Sequence, residues 1–218
     1  MIPVSCAAEP PGFRQTVRLP GVNAIRELTG KSPLLHRSGP KRKRIATRPR
    51  DIPADKFPSY WVDCLPALMA AYNSTCAYSC FRIHEVTGSR SVDHFAAKSQ
   101  RWDKVYRWSN YRLAASLLNS RKNNFADVLD PFDLEVGWFQ LELGGFQVLP
   151  NRNEAAGVQT LIQQTIDRLQ LNDPLFLSRR SSDAETYWNQ DCSLAALQKE
   201  SPFVAFELQR QGRLNAGD

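Results

Sequence analysis

The 218 residues suffice for one compact domain with extensions. The formal charge of +6 is uneven: residues 1–125 hold 21 Lys and Arg against 8 Asp and Glu, while residues 126–218 hold 7 against 14. No run of 18 apolar residues and no signal-peptide pattern is present, so a cytoplasmic protein without membrane association is expected, and five cysteines, an odd number, argue against a disulfide framework. The basic part implies an anionic partner, for which nucleic acid is the natural choice, because phosphate contacts supply most non-specific affinity.

Residues 1–20 are Pro-rich and read as extended, and Val22 to Thr29 reads as a short helix stopped by Gly30. Residues 31–58 have linker composition, with five prolines and the run KRKRIATRPR at 41–50, six of whose ten residues are basic. That run is either a solvated linker or an arm that tracks nucleic-acid phosphates. Trp61, Leu65, Leu68 and Tyr72 recur at helical spacing over 59–73, with Pro66 as a kink or break. The stretch from Phe81 to Ser116 reads as β-rich, with strands at Val92–Phe95 and Tyr111–Ala114 and a long basic loop between them. A helix is expected from about 119, with Asn119, Lys122 and Asn123 on one face. In the loop, Trp102, Tyr106 and Trp108 alternate with Arg101, Lys104 and Arg107. The rings either form a nucleic-acid surface or brace the loop.

Beyond Asp130-Pro131 the character changes. Phe139, Leu141 and Leu143 alternate with Gln140 and Glu142 ahead of Gly144-Gly145, a hairpin pattern. Val158, Leu161, Ile162, Ile166 and Leu169 form one helical stripe over 153–171, broken at Asn172-Asp173-Pro174. Ser182 to Glu185 reads as the capping box of a second helix bearing Trp188 and Leu197, and Ser201-Pro202 opens a third. This acidic helical part offers core-building or partner binding and no visible chemistry.

The stretch from Cys76 to Asn124 carries the chemistry. Val92-Asp93-His94-Phe95 is followed by Trp108-Ser109-Asn110 and then by Asn119-Ser-Arg-Lys122; Asn110 to Asn119 is a nine-residue step, and Lys122 follows by three. Taken singly, each of these has an ordinary reading as a strand polar, a turn or a cap. As an ordered set they resemble the signature of the HNH endonuclease superfamily. The form DHF..KS, WSN, N..K is closest to the HNH nucleases of Septu-type and retron-associated anti-phage systems, and the opening PVSCAAEPPGFRQTVRLPG resembles theirs too.

The resemblance implies an α+β chain: an extended, basic N-terminal arm at 1–58 for partner docking, a ββα-metal nuclease core at 59–130, and a hairpin plus helical region at 131–218. It makes His94 the general base, Asp93 and Asn119 the metal ligands, Asn110 the residue that holds the His94 loop, and Lys122 the cation facing the phosphate in the transition state. Oxygen ligands suit Mg²⁺ or Mn²⁺. Many family members carry a zinc knuckle of two CxxC pairs. Here the first is spread to Cys76 and Cys80, and the second pair's positions are Ala115 and Leu118, which cannot ligate, so no zinc is expected. The implied partners are a DNA or RNA substrate, an ABC-type ATPase, and in retron-associated systems a reverse transcriptase with its non-coding RNA and DNA. A non-catalytic nucleic-acid-binding or scaffold subunit with a relic of this fold is the competing reading.

Overall fold

The computed structural model describes residues 1–36 and 38–218. The chain is α+β, with helices and two small antiparallel sheets. The first sheet pairs β1 (Arg90–His94) with β2 (Tyr111–Ala115) in a register that sets Asp93 opposite Arg112 and His94 opposite Tyr111. The second pairs β3 (Phe139–Leu141) with β4 (Val148–Pro150). One buried cluster runs from Met1 to Leu208, so all three expected regions feed one core. Among the described residues, no helix is long and apolar enough to cross a membrane.

The N-terminal segment departs most from the sequence reading. Residues 1–20, expected as extended, are helical from Phe13: a wide turn at Arg14–Arg18 leads into α1 (Leu19–Leu28), which takes in most of the short helix expected at Val22–Thr29. Phe13, Val17, Ala24, Ile25 and Leu28 are all buried. Phe13 packs edge-on against Trp108 and Tyr111, at ring distances of 5.6 and 5.8 Å. At Gly21 a Cβ would lie 2.2 Å from the Tyr106 ring, so this helix face touches the β1–β2 loop with no room for a side chain. The helix closes as a Schellman motif, with the Gly30 N–H donating to Glu27 O and the Lys31 N–H to Arg26 O, while Gly30 takes φ +77°. The pattern at 13–20 is weakly periodic on its own; tertiary burial, not propensity, makes that stretch helical.

The chain then folds back, with the Ile45 and Ala46 N–H groups donating to Leu28 O. Pro66 is a break, as its chemistry demands. A 3₁₀ stretch at Tyr60–Cys64 ends before α2 (Leu65–Ala71), where Pro66 occupies the first turn and its missing N–H is harmless. Between α2 and β1, Ala77 N–H donates to Leu113 O and Cys76 Sγ accepts from the Ala115 N–H at 3.3 Å, so Cys76 lies under the β2 end.

After β2 comes α3 (Ser116–Lys122), three residues earlier than expected. Asn123 caps it at φ +49°, with its N–H donating to Asn119 O. In the C-terminal part, β3 buries Phe139 and Leu141 and exposes the turn, where Glu142 accepts from the Gly144 and Gly145 N–H groups. Helix α4 (Ala156–Leu169) buries Ile162, Ile166 and Leu169 but leaves Leu161 largely exposed. The capping box at Ser182 is not a helix start. Helix α5 runs Pro174–Trp188, capped by the Asp173 side chain accepting from the Leu175 N–H. Asp-Pro is the stronger start signal, because Pro at the first position needs no hydrogen bond and Asp supplies one. Helix α6 (Leu194–Glu200), capped by Ser193, carries Leu197 separately from Trp188, and α7 (Pro202–Arg210) follows.

Candidate active site

Two periodicities meet on one face. Along β1, Ser91 and Asp93 point the same way because strand side chains alternate; along α3, Asn119 and Lys122 share a face because three residues nearly complete a turn. The structure pairs them off. Asn119 Nδ2 donates to Ser91 Oγ at 3.1 Å and to Val92 O at 3.3 Å, and Lys122 Nζ donates to Asp93 Oδ1 at 3.2 Å. The three-residue step from Asn119 to Lys122 therefore has a geometric meaning: it matches the two-residue step from Ser91 to Asp93.

Asp93 is buried and bound on both oxygens. Oδ1 takes the Lys122 ammonium, and Oδ2 accepts a short hydrogen bond from the Tyr78 hydroxyl. Burial pushes its carboxyl upward, opposed chiefly by the Lys122 charge. The same burial pushes the Tyr78 phenol far up, so Tyr78 stays a donor. Arg112, opposite Asp93 across the sheet, is also buried, but its fork engages Asp130 at 2.7 and 2.5 Å. Sequence reading missed both Tyr78 and Arg112. They approach Asp93 only through folding, and no local spacing marks them.

Lys122 was expected to meet phosphate. Its side chain is only 1% exposed, and its ammonium is sealed between Asp93 and the carbonyls of His94 at 3.4 Å and Phe95 at 3.1 Å. Its position is that of a clamp on the strand end. Leaving Asp93 in place without it would strand a buried carboxylate.

His94, the last residue of β1, sits in the core wall. It is 8% exposed, and its ring is edge-on to Trp61 at 4.6 Å and to Tyr111 at 5.1 Å. Nε2 lies 3.0 Å from Val105 O. A carbonyl only accepts, so Nε2 carries the proton and Nδ1 keeps the lone pair. Burial lowers the imidazolium pKa to about 3, with the Lys98 charge as the next cause, so the ring is neutral across the physiological range.

Asn110 holds the loop that follows His94. Its Oδ1 accepts from the Ala96 N–H at 2.8 Å, its Nδ2 donates to Ala96 O and Lys104 O, and its own carbonyl accepts from the Phe95 N–H. A single buried amide thus ties both ends of the β1–β2 loop. Two of the aromatic residues of that loop, Tyr106 and Trp108, brace it, while Trp102 is partly exposed. Tyr106 and Trp108 are buried, with Tyr106 Oη donating to Pro58 O and Trp108 Nε1 to Ala7 O. Arg101 and Arg107 are spent locally on Asp103.

Asp93, His94 and Asn119 line one cleft of about 610 Å³, together with Trp61, Lys98 and four serines at 91, 99, 116 and 120; Asn110 and Lys122 lie behind its wall. The donor set fits a hard cation in part. Asn119 Nδ2 is committed, which leaves Oδ1 as the oxygen without a partner among the described residues, and Asp93 adds a carboxylate. Among the described residues, no group of three or more His, Cys, Asp or Glu could hold a metal, so the set suits an ion that keeps most of its waters and not a protein-caged one. Cys76 and Cys80 are free and buried, Cys76 bonded to a backbone amide. His84 lies outside the cleft, 3.2 Å from Glu200. In the basic run, Arg42 is anchored to Glu27 and to the Tyr60 hydroxyl, while Lys41 and Lys43 are exposed. No protein-family model matches the chain, and no curated protein matches it.

Proposed function

We propose that the chain is a metal-dependent endonuclease of the HNH type, hydrolysing phosphodiester bonds in DNA or RNA. One observation carries this reading: a β-hairpin followed directly by a helix presents Asp93, His94 and Asn119 to a single cleft, while Asn110 fixes the loop leaving His94. The order and spacing that suggested the family thus coincide with a spatial cluster. A ββα-metal core is the architecture that this arrangement suits.

In this reading His94 takes a proton from water at Nδ1, the nitrogen left basic by the Nε2 bond to Val105 O. Burial keeps the ring in its neutral, accepting form. Asn110 and the Val105 carbonyl orient the ring, and Lys122 with Tyr78 holds the Asp93 carboxylate in place. Asp93 and the Asn119 Oδ1 would hold Mg²⁺ or Mn²⁺. When bound, such an ion supplies charge stabilisation at the scissile phosphate.

The resemblance further suggests a toxic effector of an anti-phage complex in the cytoplasm, restrained and triggered by an ABC-type ATPase and, in a retron-associated setting, by a reverse transcriptase with its non-coding RNA and DNA. The competing reading, a non-catalytic nucleic-acid-binding or scaffold subunit, draws support from the saturation of both Asp93 oxygens by Lys122 and Tyr78. Incubating the purified protein, with and without its genomic neighbours, with DNA and RNA panels and Mg²⁺ separates the two. Mg²⁺-dependent cutting that disappears in His94→Gln, whose amide can keep the Val105 bond but offers no basic nitrogen, supports the nuclease. Binding without cutting under every condition supports the scaffold.

A further inference from the structure

The cleft needs a cation for a polyanion, and the residue expected to supply it, Lys122, is sealed away. Among the described residues, Lys98 is the only Lys or Arg lining the cleft. Its ammonium lies 4.4 Å from the centre of the Trp61 ring and is half-buried. No hydrogen bond or ion pair occupies its Nζ among the described residues. The nearby carboxylate of Asp55 is paired with Lys56 at 2.9 Å instead. Asp55 acts on Lys98 only at longer range, and an ammonium without a direct carboxylate partner at a partly desolvated wall contrasts with Lys122, Arg112 and Arg121, each of which is paired.

We propose that Lys98, seated on Trp61, is the phosphate-binding residue of this cleft and places a nucleic-acid phosphate beside His94. Trp61 is buried and holds both partners, Lys98 over its ring and the His94 ring at right angles to it, ring centres 4.6 Å apart. A phosphate that pairs with Lys98 is therefore brought to the His94 side of the cleft by a rigid shelf. The cation–π seat restricts the long side chain before the anion arrives, which lowers the entropic cost of binding. The electrostatic coupling of Lys98 to His94 agrees with that closeness. Of the serines along the same walls, Ser91 and Ser116 already donate to Ala114 O and Ser89 O, and Ser99 and Ser120 offer hydroxyl donors for the remaining phosphate oxygens. The assignment rests on the nuclease reading only for the fate of the bound strand, not for its binding.

The test uses the full chain with Lys98→Gln and Lys98→Arg. Fluorescent single-stranded and duplex DNA and RNA oligonucleotides are titrated in EDTA over a range of salt, then incubated with Mg²⁺. We expect Lys98→Gln to reduce the salt slope by about one phosphate unit and Lys98→Arg to keep it, with unchanged melting temperatures in both. Cleavage by Lys98→Gln should fall on the order of 10²-fold, the effect of removing one charge-stabilising donor. An unchanged slope in Lys98→Gln, an equal loss in Lys98→Arg, or no oligonucleotide binding by the wild type overturns the proposal. A slope lost only in Lys98→Gln, with no cutting by any form even when the genomic neighbours are added, upholds the phosphate site and overturns the nuclease reading alone.

Discussion

The β1–β2 loop is gripped from two sides, and the two grips differ in kind. On one side is the polar set of Asn110, Lys122 and Asp93, all buried and all hydrogen-bonded. On the other is the apolar clamp of the first thirty residues, with Phe13 on Trp108 and Gly21 on Tyr106. Apolar burial is non-directional and supplies stability in proportion to area. Hydrogen-bonded burial adds less net energy but tolerates only one arrangement, since each unmet partner is penalised in full. The clamp therefore keeps the loop folded, and the polar set decides where His94 points.

The largest effect should come from deleting residues 1–30. The segment supplies Phe13, Val17, Ala24, Ile25 and Leu28 to the core, so the truncated chain should lose its cooperative thermal transition. A truncated protein that melts like the full chain would show that the clamp is dispensable. Removing one polar partner comes next. Lys122→Ala should destabilise by about 3–5 kcal/mol, because a buried carboxylate is left unpaired. The double variant Asp93→Asn with Lys122→Met should recover a large share of that loss in denaturant melts. If the double is as weak as the single, the ion pair is not what Lys122 provides.

Asn110→Ala should cost about 1–3 kcal/mol, from the Ala96 amide left without an acceptor. It sharpens the comparison if activity falls far more than stability, which kinetic assays beside melting curves would reveal. A proportionate fall in both would reduce Asn110 to a structural tie.

The smallest effect is a pH slope. The folded-state pKa of His94 lies near 3, below the unfolded value of 6.5, so its contribution is fully present above pH 6.5 and is lost as pH falls towards 3. Between pH 7 and pH 5.5 the loss is about 1 kcal/mol. Denaturant stability of the wild type minus that of His94→Gln isolates this contribution from that of Asp93. A flat difference over this range would mean that the ring is not buried neutral.

Much of the local structure was legible in the sequence. Period-two alternation marked β3, Pro202 opened α7, Pro66 broke the 59–73 stretch, and the Ile162–Ile166–Leu169 stripe faced inward, because these signals act within a few residues. The candidate site was legible as a set of residues at fixed steps, and those steps placed Asp93, His94 and Asn119 around one cleft. Three features depended on the tertiary structure alone. The helix expected at 22–29 extended back to Phe13 because Trp108, Tyr111 and Tyr106, some ninety residues away, offered that stretch a face to cover. Lys122 and Lys98, equivalent as charges in the sequence, were separated by burial: one was sealed against Asp93, and the other was left on Trp61 facing the cleft. Tyr78 and Arg112 came to Asp93 and Asp130 only through folding. Sequence spacing fixes which side chains can share a face, but the state of a charge depends on the solvent and partners around it, and those are set by segments far away in the chain.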